Sequence, residues 1–223
     1  TITIANSFTN VKFTGALSIN ADLEILNSEL TGTSTLANGV TVTMSGVVTA
    51  GTINVADSNG NTADLVLLAG SELINATLDE TLPDGGTEAL TVTVGNNVTL
   101  KDVTRTEATV NFLGNVTLDG GNYAEASQTY EIASGSSLTL SGSISSVALT
   151  ISGNSINGSG RLDNSGAVTV NPAAGSIAIS NVSFDGALTL SDDAVLTNVT
   201  VLGALTVNAD LEILNSELTG TST

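Results

Sequence analysis

Residues Gly15 to Thr35 read GALSINADLEILNSELTGTST, and residues Gly203 to Thr223 read GALTVNADLEILNSELTGTST. The same 21-residue segment returns 188 positions on, with only Ser18/Thr206 and Ile19/Val207 exchanged. A chain that copies itself at so long a period is a tandem array, so its fold must let one copy follow another. Set at the same displacement, Thr1 to Gly15 and Thr189 to Gly203 share Thr1, Thr9, Asn10, Val11 and Gly15. The array is therefore expected to continue upstream.

A shorter period runs inside the long one. The phrase Ala-Leu-Thr-Val or a close relative starts at Ala16, Ala89, Ala148, Ala167, Ala187 and Ala204, the last four spaced by 19, 20 and 17 residues. Thr35, Ala108 and Thr129 offer further starts. Ten coils of about 19 residues fill one period, at the short end of solenoid repeats. A second phrase, Asn-x-x-apolar-x-Gly, begins at Asn10, Asn27, Asn181, Asn198 and Asn215. Asn and Gly tolerate left-handed backbone angles, which marks these positions as corners. Between corners apolar residues alternate with Thr or Ser, as in Leu138-Thr-Leu140 and Ile177-Ala-Ile179. That is the strand period. The best helical candidate, Ala21 to Leu30, is read as strand and corner, because Leu23-Glu-Ile25 also alternates and Asn27 opens the corner phrase.

These patterns predict an all-β chain, a parallel β-solenoid of about 19 residues per coil with three short strands per coil, and one continuous segment over residues 1–223. Stacked coils share one apolar column that a single coil cannot bury. The inward positions expected to build it are Leu17, Ile19, Leu188, Leu190, Leu205 and Val207, with Asn27, Asn181, Asn198 and Asn215 at the corners. At about 4.8 Å per coil, one period advances the axis by about 48 Å. The stretch from Gly51 to Glu88 fits least well. Its 37 residues between starts at Thr52 and Ala89 equal about two coils, with irregular loops at Asp57 to Thr62 and Asp79 to Thr87. Inserted loops emerge on one face of a solenoid, often the binding face.

Charge narrows the function classes. Lys12, Lys101, Arg105 and Arg161 stand against 22 acidic residues, a net charge of −18, which opposes any phosphate backbone. No nucleic-acid partner is expected. There is no Cys and no His, hence no disulfide, thiol nucleophile or imidazole metal site. No apolar run reaches the ~18 residues that span a bilayer, so membrane insertion is not expected.

Chemistry-bearing motifs are sparse. Asp192-Asp193 is an acidic pair next to a strand end, and two carboxylates can divide acid and base roles in sugar-bond cleavage. A solvated turn explains the pair as well. No cofactor is expected. Calcium is the alternative, with oxygen ligands at Asp102, Asp119, Glu125, Asp192 and Asp193 and a scrap of a Gly/Asp-rich turn at Asp119-Gly-Gly-Asn122. Thr-x-Thr pairs at Thr41/Thr43 and Thr91/Thr93 would align with Thr109/Asn111, Thr139/Ser141, Thr150/Ser152, Thr169/Asn171, Thr189/Ser191 and Thr206/Asn208 as polar rows on an exposed sheet. Asn-x-Ser/Thr triplets occur at Asn75, Asn97, Asn115, Asn157, Asn181 and Asn198, as chance allows in a chain so rich in Asn and Thr.

The degenerate coils, the Ala-Leu-Thr-Val and Asn-x-x-apolar-x-Gly phrases, the acidity, the lack of Cys and the near-identical duplication together resemble the repeat regions of large bacterial surface adhesins. The style is that of filamentous-haemagglutinin-like and autotransporter-passenger β-helices. The resemblance implies a right-handed β-helix, an extracellular, cell-surface location, and a structural role as a stiff stalk or fibre in adhesion or extracellular matrix. The partners expected are further copies of the repeat head-to-tail, with neighbouring fibres or surface glycans beside them. Two alternatives remain: a carbohydrate- or partner-binding solenoid using the 57–88 loops, and a polysaccharide-cleaving enzyme.

Overall fold

The computed structural model describes residues 1–56, 60–80, 89–106, 108–123, 128–130, 136–146, 149–151, 153–164, 167–172 and 175–223. The chain forms two compact units, Thr1–Asn111 and Phe112–Thr223. Among the described residues it is all-β and without helix, a parallel β-solenoid of about 9 turns with roughly 19 residues per turn. The alternating pattern explains the absence of helix. Leu23–Leu26 is a strand, Asn27 turns the chain at φ 47, and Glu29–Leu30 is the next strand.

In the first unit three parallel ladders run side by side. The first stacks Asn6–Thr9, Leu23–Leu26, Thr41–Ser45, Thr62–Leu67 and Ala89–Val94. The second stacks Lys12–Phe13, Glu29–Leu30, Val47–Ala50, Glu72–Ile74 and Val98–Lys101. The third stacks Leu17–Ile19, Ser34–Leu36, Thr52–Val55, Thr77–Asp79 and Thr104–Thr106. Each coil therefore contributes one strand to each ladder. Register turns the alternation into columns: Leu23, Val42, Leu65 and Val92 lie over one another, as do Ile25, Met44, Leu67 and Val94, and none is more than 1% exposed. Each such side chain contributes about 1.5–3 kcal/mol by leaving water.

The second unit repeats the plan. One ladder stacks Gln128–Tyr130, Leu149–Ile151, Val168–Val170, Leu188–Leu190 and Leu205–Val207. Its steps from Leu149 to Val168, Leu188 and Leu205 are those of the Ala-Leu-Thr-Val spacing. The other two ladders carry the columns Leu138, Ile156, Ile179, Leu196, Ile213 and Ile144, Leu162, Phe184, Val201, Leu218. Val116–Tyr123 and Ser137–Ser146 are long enough to serve both ladders, crossing the corner through a register shift between Asp119 and Gly121. Gly120, Gly121 and Gly142 hold positive φ there.

One reading of the sequence is corrected here. Thr52 lies on the third ladder and Ala89 on the first, so the 37 residues between them make about one and a third coils rather than two. The coils are longer at this point: Thr52 pairs with Thr77 and Thr77 with Thr104, against Leu17 with Ser34 earlier. Both irregular segments fall at one corner, between the third ladder and the first. Residues 57–59 and 81–88 lie outside the described residues.

Candidate functional surface

The expected core positions Leu17, Ile19, Leu188, Leu190 and Leu205 are buried, and Val207 is half-buried. Asn27, Asn181, Asn198 and Asn215 all adopt positive φ, between 47 and 57. These corners do more than turn the chain. The Asn27 side-chain Oδ1 accepts the Val47 N–H one coil on at 3.0 Å, and Asn198 Nδ2 donates to Asn181 Oδ1 at 3.0 Å. Beside them, Ser28 Oγ accepts the Val11 N–H and donates to the Leu26 carbonyl. Ser216 treats Val199 and Leu214 alike in the second copy. The triplets at Asn75, Asn97, Asn181 and Asn198 also sit at positive φ, so the Asn-x-Ser/Thr pattern there is a left-handed corner running into a strand. Replacing Asn27 by Ala removes both the αL-tolerant residue and the acceptor for Val47. The expected cost is about 1–2 kcal/mol in urea unfolding, against about 0.5 kcal/mol for Asn27→Asp, which keeps both.

The acidic pair forms a turn. Asp192 Oδ1 accepts the Asp193 N–H at 2.9 Å, and Asp193 Oδ1 accepts the Asp210 N–H of the next coil at 3.0 Å. Asp193, Asp210 and Glu212 line a shallow groove with Ser176. Its counterpart one period earlier is lined by Asp22 and Glu24, with Ala5 in the place of Asp193. There Asp22 Oδ1 accepts the Thr41 N–H at 2.9 Å. Asp193 and Asp22, each just ahead of a strand, thus knit one coil to the next. Among the described residues no three Asp or Glu are gathered so as to hold a metal ion. Asp119 to Asn122 belongs to the bulged strand Val116–Tyr123, and Asp102 is a corner at φ 51. Glu125 lies outside the described residues.

The threonine rows divide between ladders. Thr129, Thr150, Thr169, Thr189 and Thr206 share one column of register. Thr139 stands apart, paired with Thr117 and Asn157, and Ser152 lies outside the described residues. In the first unit Thr41 and Thr43 are separated from Thr91 and Thr93 by Asp64 and Val66. The alignment of these pairs on one exposed sheet, expected from sequence, is corrected to several ladders, because a Thr-x-Thr pair marks a strand without saying which ladder it joins.

Positive charge is used between coils. Lys12 Nζ meets Glu29 Oε1 at 2.7 Å with both side chains well exposed, a geometry that contributes little. Arg161 Nε donates to both carboxylate oxygens of Asp185, at 2.9 and 2.8 Å, and the Arg161 pKa is raised first by that hydrogen bond and then by the charge of Asp185. Arg105 is the residue that sequence reasoning missed. It ends the inward column of Leu17, Ser34, Ile53 and Leu78, is 2% exposed, and donates from Nε to the Ala108 carbonyl. Its place was signalled by alternation alone, since Val103 and Arg105 are two apart and both buried.

Compared with protein-family models, curated proteins and solved structures, the chain matches none. No helix among the described residues is long and apolar enough to cross a membrane. At the corners Asn27, Ser28, Asp22 and Asp193 use their side chains to join coil to coil.

Proposed function

We propose that the chain is a structural repeat of the cell exterior, a stiff spacer whose copies follow one another head-to-tail in an adhesive stalk or matrix fibre. One observation carries the reading. The duplicated segment adopts the same strands in both places, Leu17–Ile19, Leu23–Leu26 and Glu29–Leu30 against Leu205–Val207, Leu211–Leu214 and Glu217–Leu218. Both copies also join the preceding coil at the same step, Phe13 to Leu30 and Val201 to Leu218. A segment that folds alike wherever it recurs is suited to setting length. The net charge of −18 adds mutual repulsion that keeps neighbouring fibres soluble.

The test is reach. Arrays of one, two and four periods, each ending in an epitope tag, are displayed on the producing bacterium, and the tag is located by immunogold on unpermeabilised cells. The distance from the envelope is expected to grow by about 45 Å per added period. A tag seen only after permeabilisation, or a distance indifferent to copy number, would overturn the proposal.

A further inference from the structure

We draw no further inference here: the strongest candidate, the file of Thr52, Thr77 and Thr104 running beside Asn54 and Asp79 on the outward face of the third ladder in the first unit, is a stripe of small polar side chains for which nothing in the structure shows a ligand.

Discussion

An aspartate in place of Leu190 is expected to cost the Phe112–Thr223 unit about 4 kcal/mol or more, a large part of the 5–15 kcal/mol that holds an ordinary domain together. Leu190 is 0% exposed and is held between Val170 and Val207 in one ladder. A carboxylate there has no water, and the column has no room to turn it outward. The next residue back supplies the comparison. Thr189 points to the other side of the same strand and is half-buried between Thr169 and Thr206, so Thr189→Asp is expected to cost about 1 kcal/mol or less. Urea unfolding followed by circular dichroism reads both variants. Equal midpoints would mean that inward and outward have been assigned wrongly along this ladder.

The second large effect belongs to backbone. Gly203 stacks on Gly186 so closely that a Cβ on Gly203 would lie 2.3 Å from the Gly186 carbonyl carbon and 2.4 Å from its oxygen. Gly220 stacks in turn on Gly203, with a Cβ position 1.9 Å from the Gly203 oxygen. A side chain in this file must push one coil off the next, and the neighbour cannot yield because its strands are already paired. Gly203→Val is expected to cost about 3 kcal/mol or more. Gly175→Ala isolates the contribution of conformation, since Gly175 holds φ +76 with nothing within 4 Å of its Cβ position. That change is expected to cost about 1–2 kcal/mol. Similar losses in the two variants would show that left-handed geometry, not close stacking, is what the corner glycines provide.

The strands and their spacing were legible because two physical signals coincide. Alternation puts Leu188 and Leu190 inward and Thr189 outward, while left-handed corners demand Asn or Gly, and the two repeat together through Asn181, Asn198 and Asn215. Assignment of strands to ladders was less legible. Ala89-Leu-Thr-Val92 looks like Ala204-Leu-Thr-Val207, yet its place in the coil is set by how many residues the intervening corners consume. Those corners vary: Gly51 turns where Asn75 and Asp102 turn in later coils, and two of the connections are long. Nothing in a strand's own residues records that count. The candidate chemistry was obscure for a related reason. Asp193 and Asp22 look like free acids in sequence, but their neighbours across the coil, Asp210 and Thr41, are 17 and 19 residues away and claim them as backbone acceptors. Arg105 shows the same limit from the other side, since alternation alone would have placed a cation in an apolar column.

The shared 17-residue step has a genetic consequence. Ile2 bridges Ile19, and Leu188 pairs with Leu205, so each duplicated block is entered at the same phase of the winding. Unequal crossing-over between the two blocks therefore removes or inserts a whole number of turns and never leaves a severed loop at the junction.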